Sequence, residues 1–234
     1  MKLFLSSLLF CLPLLVAAQI NYWQGGLFLG GAGFSGDVNP QATPDLSEVS
    51  LAVGFIGKVD VTPKIGFRGS ITYANLVGDD ANYPIRVDRG FRFNTTLIEL
   101  AGVAEWEPFA SNRYYANARG GVEMDRIVSP YLFAGVGLGF ANLNTDFSQY
   151  EGNNPLIEQG IREDRSKGSS QTAFVLPLGG GIKFDLSNRL TIGIEFSGRL
   201  SFSDDLDGIS ASANPDNDDV YFFSGLNTYY RFFN

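Results

Sequence analysis

The feature that most constrains this chain is a two-residue alternation, clearest between Leu190 and Phe202. Leu190, Ile192, Ile194, Phe196, Leu200 and Phe202 share one face there, while Thr191, Glu195, Ser197, Arg199 and Ser201 share the other. Successive side chains of a strand point to opposite sides, so one face is apolar and the other carries a carboxylate and a guanidinium. A wall with lipid outside and a polar lumen inside suits this pattern, which reads as a transmembrane β-barrel of the outer-membrane type.

The same period picks out eight strands, roughly 22–35, 48–60, 64–77, 91–106, 130–142, 172–185, 189–203 and 219–233. The expected fold is therefore all-β, an eight-stranded antiparallel transmembrane barrel. Val61-Thr62-Pro63 and Leu186-Ser187-Asn188 make short turns, whereas 36–47, 78–90, 143–171 and 204–218 are long polar connections. Short turns on the periplasmic side and long loops outside are the asymmetry of bacterial barrels, and both ends of the barrel domain fall on the periplasmic side.

One connection breaks the alternation. From Glu107 to Ser129 the chain runs through Pro108, Asn112, Arg113, Tyr114, Tyr115, Arg119, Gly120 and Gly121, and by parity this segment is periplasmic. It is either an extended hairpin with no role of its own or a docking surface for a periplasmic partner. On the second reading Arg113, Tyr114, Tyr115 and Arg119 are the partner-facing candidates.

Upstream of the strands, Lys2 precedes an apolar run from Leu3 to Val16, and Val16-Ala17-Ala18 has the small residues of a signal-peptidase site. Residues 1–18 read as a signal peptide and 19–234 as the barrel domain. The single cysteine, Cys11, lies inside the leader behind Phe10, where a lipoprotein box calls for a small residue. The mature chain then has no thiol, disulfide or cysteine-based metal site.

Face assignment places charge in the lumen. Ile65, Phe67, Ile71, Tyr73, Ile98, Leu100 and Trp106 face lipid; Lys64, Arg68, Ser70, Thr72, Glu99 and Glu105 face inward. Lys58, Lys183, Asp185, Glu195, Arg199 and Arg231 extend the inward set. Six cations, Lys58, Lys64, Arg68, Lys183, Arg199 and Arg231, thus oppose four anions, Glu99, Glu105, Asp185 and Glu195. An eight-stranded barrel holds side chains and little else, so the expectation is a plug of ion pairs.

Few chemistries remain. The sequence has no histidine, which removes histidine-based triads and ordinary zinc sites. Its formal charge of −8 argues against nucleic acid. No cofactor and no metal are expected: Asp204, Asp205, Asp207, Asp216, Asp218 and Asp219 offer oxygen ligands that could bind calcium, but they lack EF-hand spacing and read better as a solvated acidic loop. Gly135, Gly137 and Gly139 read as a small-residue face of a strand, not a dinucleotide fingerprint. Asn94-Thr95-Thr96 reads as a chance sequon. Phe222, Leu226, Tyr230 and Phe232 alternate outward along a final aromatic strand, the form of a barrel-assembly signal, although the last residue is Asn234.

Several stretches resemble a known family. They are Ser35-Gly36-Asp37-Val38-Asn39-Pro40, Gly78-Asp79-Asp80-Ala81-Asn82, Leu97-Ile98-Glu99-Leu100, Ser129 through Gly137, Pro177 through Lys183, and Leu190 through Ser210. In that order they resemble a Bacteroidota family of outer-membrane barrels that includes PorG of the type IX secretion system. The resemblance implies a non-catalytic anchor, in contact with outer-membrane lipid, that tethers a periplasmic ring of PorK- and PorN-like proteins. It brings no catalytic residues. A small structural or channel-forming, porin-like barrel is the alternative, and an enzyme ranks third.

Overall fold

The computed structural model describes residues 22–36, 38, 46–84, 86–110, 114–116, 122–124, 128–203, 205–213 and 219–232. In chain order the strands are β1 (Tyr22–Ser35), β2 (Ser50–Asp60), β3 (Ile65–Asp79), β4 (Arg92–Trp106), β5 (Tyr114–Ala116), β6 (Val122–Met124), β7 (Val128–Asn142), β8 (Thr145–Asp146), β9 (Ser170–Asp185), β10 (Leu190–Ser201) and β11 (Val220–Phe232). Among the described residues one α-helix, α1 (Pro155–Ser166), lies between β8 and β9.

Eight of these strands form a closed antiparallel barrel, in the order β1-β2-β3-β4-β7-β9-β10-β11 and back to β1. Along the ring each barrel strand pairs with the next one in the chain, and closure comes from β11 on β1, with Leu29 opposite Leu226. No edge is left in the barrel wall, which is what a β-structure surrounded by hydrocarbon requires. The two-residue strand β8 extends the far end of β4, with Arg92 opposite Asp146.

The alternation read from the sequence holds on every barrel strand. Phe55, Phe67, Ile71, Trp106, Leu132, Ile194, Phe196 and Phe232 are exposed on the outside, while Lys58, Arg68, Glu105 and Glu195 are buried within. On β10 the apolar face runs from Leu190 to Phe202, about 40 Å at ~3.3 Å per residue. With a strand tilt of about 35–45° that is about 30 Å along the barrel axis, the thickness of a bilayer's hydrocarbon core.

The two ends differ. At one end β1 begins, β11 ends, and two tight turns repeat one solution. The Thr62 hydroxyl accepts from the Lys64 and Ile65 amides, and the Ser187 hydroxyl accepts from the Arg189 and Leu190 amides. The third connection at this end is the long one, and it carries β5 paired antiparallel with β6. The opposite end holds the four long loops. Within one of them α1 forms where only polar loop was expected: Asn154 caps it by accepting from the Leu156 amide at 3.0 Å, with Pro155 in its first turn.

The interior is layered rather than uniformly ionic. The half nearest the long loops is apolar, filled by Ala32, Phe34, Ala52, Ala74, Leu76, Phe93, Leu97, Ala173 and Val175, all buried. Phe34 and Phe93 meet edge-to-face at 4.9 Å. Charge is concentrated in the middle and in the half nearest the tight turns. The expected plug of ion pairs is confined to that part of the interior, and the apolar layer beside it was not anticipated.

Candidate functional site

The charged half of the lumen is built in three tiers. Nearest the tight turns, the ammonium groups of Lys58 (β2) and Lys183 (β9) share the carboxylates of Glu105 and Glu107 at the end of β4. Lys183 lies 2.8 Å and Lys58 3.1 Å from Glu107, and both hydrogen-bond Glu105. Lys58 also pairs with Asp60 at 3.0 Å, whose other oxygen accepts from Gln24. Beside them Arg231 donates to Asp185 at 2.7 Å and to the Thr191 hydroxyl at 2.6 Å.

In the middle tier Arg68 (β3) grips Glu195 (β10) with both terminal nitrogens, at 2.6 and 3.3 Å, and stacks over the Phe133 ring at 4.4 Å. Tyr131 and Asn227 donate to the same carboxylate at 2.7 and 2.8 Å. Above it Arg199 (β10) reaches Glu99 (β4) at 3.2 and 3.4 Å, Tyr221 donates to Glu99 at 2.6 Å, and the guanidinium covers Phe223 at 4.2 Å. A charge in a dry interior is costly unless paired and hydrogen-bonded, and these chains of tyrosine, amide and carboxylate satisfy that demand. The void among Phe28, Arg68, Thr72, Glu195, Arg199 and Asn227 amounts to about 20 Å³, space for about one water.

The structure thus brings together Lys58, Arg68, Glu99, Glu105, Lys183, Asp185, Glu195, Arg199 and Arg231. Lys64 does not join them and is corrected: it sits exposed in the β2–β3 turn, because the strand starts one residue later than expected. Two anions missed in the sequence take its place, Asp60 and Glu107. Among the described residues the charged tiers therefore join five cations and six anions, with buried Tyr131, Tyr221 and Tyr229 as neutral donors and acceptors. In sequence Glu107 reads as the start of the excursion, since it follows Trp106 and precedes Pro108. Its continuation of the inward parity of Glu99 and Glu105 was the signal available.

At the opposite end the loops fold over the barrel mouth. Phe91, Phe147, Ile161, Leu206 and Ile209 are buried there. Asp164 of α1, itself buried, accepts from the Ala211 and Ser212 amides at 2.9 and 3.0 Å and from the Ser212 hydroxyl at 2.6 Å. Lys167 bonds Asp205 at 2.5 Å; burial alone would lower its pKa, but Asp205 and Asp164 outweigh this and hold it above the ordinary lysine range. Of the acidic loop, Asp207 and Asp219 are buried and accept from the Ile209 and Leu206 amides. Asp204, Asp216 and Asp218 lie outside the described residues. Among the described residues no three acidic, cysteine or histidine side chains gather as a metal site. Thr95, from the sequon, donates to the Leu206 carbonyl at 2.8 Å.

For the excursion, Tyr114 and Tyr115 lie in β5, opposite Met124 and Glu123 of β6. Arg113 and Arg119 lie outside the described residues, as does the leader.

A family model described as Domain of unknown function (DUF6089) matches residues 1–234. The chain belongs to that family. No curated protein matches the sequence. Among solved structures this DUF6089 chain is similar to a major outer membrane protein from Thermus thermophilus, with 13% identity over 92% of this chain and 100% of that one, at a TM-score of 0.50. It is also similar to Neisserial surface protein A (12% identity, 92% and 98% covered, TM-score 0.47) and to Ail, the attachment invasion locus protein of Yersinia pestis (13% identity, 92% and 100% covered, TM-score 0.46). At the 13% identity of the Thermus protein the shared property is the fold, and the DUF6089 chain is by its own strand pairing an eight-stranded barrel.

Proposed function

We propose that this protein is a non-catalytic, integral outer-membrane barrel that serves as an anchor. One observation carries the reading: the lumen is filled by its own side chains, while the end that bears the tight turns also bears one long excursion with a hairpin of its own. A barrel that leaves no passage and extends a segment beyond the bilayer is suited to holding something in place. The tight-turn end, where β1 begins and β11 ends, is then periplasmic, and Arg113, Tyr114, Tyr115 and Arg119 belong to the docking segment. The sequence resemblance supports a finer reading, in which the docked partner is the periplasmic ring of a type IX secretion system, built from PorK- and PorN-like proteins.

The test is capture of envelope proteins by the full barrel and by a variant whose residues 111–127 are replaced with a short turn. Ring proteins held by the first and lost from the second, with unchanged β circular dichroism, support the anchor. Equal capture by both, or a steady conductance from the pure protein with no partner held, overturns it in favour of a porin-like barrel.

A further inference from the structure

At the tight-turn rim a cation is held against the outer wall instead of inside it. Arg189, in the turn between β9 and β10, donates to the Tyr230 hydroxyl at 3.3 Å. Tyr230 faces outward from β11, opposite Leu190 in register, and its ring packs edge-on against Phe232 at 5.3 Å. Phe232 in turn lies opposite the outward Trp23 of β1, which is 61% exposed. The next residue of the same strand gives the contrast: Arg231 points into the lumen and pairs with Asp185. The turn also presents Leu186 in the open. The guanidinium therefore rests where the apolar band ends, hydrogen-bonded to the rim of an aromatic patch formed by the ends of β11 and β1.

In a bilayer that depth belongs to the glycerophosphate groups, and aromatic side chains concentrate there. A guanidinium presents a planar fork matched to two phosphate oxygens. The Tyr230 hydroxyl, which accepts from Arg189, has its own hydrogen to donate beside that fork. We propose that Arg189 and Tyr230 form a binding site for the phosphodiester of a glycerophospholipid in the leaflet at the tight-turn end, its acyl chains lying along Phe232 and Trp23. The inference rests on the membrane reading above and adds to it a defined headgroup site.

The experiment is native mass spectrometry of the delipidated, detergent-solubilised barrel titrated with phosphatidylglycerol, with folding of each variant checked by β circular dichroism. The wild type is expected to retain a first phosphatidylglycerol about tenfold more tightly than Arg189→Gln, with Tyr230→Phe between them. Diacylglycerol, which has no phosphate, should not discriminate between the proteins, and excess glycerophosphate should not displace the lipid. Equal retention by wild type and Arg189→Gln overturns the site, as does an equal loss in Arg162→Gln, changed in α1 at the far end. Displacement by glycerophosphate overturns the lipid as the source of the phosphodiester. A wild-type chain that stays folded and monodisperse without detergent overturns the membrane reading itself.

Discussion

The hydroxyl of Tyr131 donates to the carboxylate of Glu195 at 2.7 Å, although β9 stands between their two strands. The β9 residue beneath the Tyr131 ring is Gly181, where a Cβ would collide with the Ile194 carbonyl oxygen and lie 2.9 Å from the ring. Gly181→Val should push the ring off its acceptor and destabilise the barrel by about 1–3 kcal/mol, the usual cost of overpacking. Urea titration of the shift between folded and unfolded migration on a gel measures it.

Arg68 and Glu195 form a buried bidentate pair, so Arg68→Met alone strands a carboxylate and should cost about 3–5 kcal/mol. Arg68→Met combined with Glu195→Leu removes both charges and should recover at least half of that loss. The same urea midpoints in a double-mutant cycle check both numbers.

Glu107 and Lys64 give opposite expectations. Glu107→Gln removes a carboxylate shared by Lys58 and Lys183 and should lower stability by several kcal/mol. Lys64→Gln changes an exposed turn residue and should stay within about 0.5 kcal/mol of wild type.

The loop end should respond separately from the barrel. Asp164→Ala removes the acceptor for two amides and one hydroxyl. Limited proteolysis should then cut between α1 and β11 faster, while β circular dichroism is unchanged. The Lys167 contribution has a fixed sign: its folded pKa is raised, so it is present in full below about pH 10.5 and lost as pH rises through the folded value. Protease sensitivity of that loop should therefore increase in strong alkali.

The hydrogen-bonded tiers from Lys58 and Glu105 to Arg199 and Glu99 occupy the charged half of the lumen. Pure protein in a planar bilayer should give no steady openings, and sustained nanosiemens-scale steps would contradict the filled lumen.

What the sequence revealed, and what it hid, follow from how each signal is encoded. Strand positions were legible because lipid and lumen sort residues with period two, and each boundary in the barrel lay within two residues of expectation. Lys64 was misplaced because parity continues through a turn on paper, whereas the Thr62 hydroxyl ends the ladder at Ile65. Glu107 escapes a strand-based reading because inward parity persists one residue past the end of β4, while Asp60 is the last inward position of β2, still paired with Tyr22 and Gly66. The apolar half of the interior was hidden because Ala, Leu and Phe on an inward face look, by composition, like residues facing lipid. The helix α1 was missed in a loop judged by polarity, although Asn154-Pro155 is a helix-start signal.

The seam between β1 and β11 has a consequence for the lifetime of the molecule. Its pairing partners, such as Leu27 and Thr228, are about two hundred positions apart, whereas the tight hairpins join neighbours. The entropy of so large a loop grows only slowly with length, so separation costs the chain mainly through the backbone groups it bares. Bared inside hydrocarbon, those groups find no water to bond. In the membrane setting proposed above, opening that junction bares many such groups at once, so the seam should part as a unit rather than residue by residue.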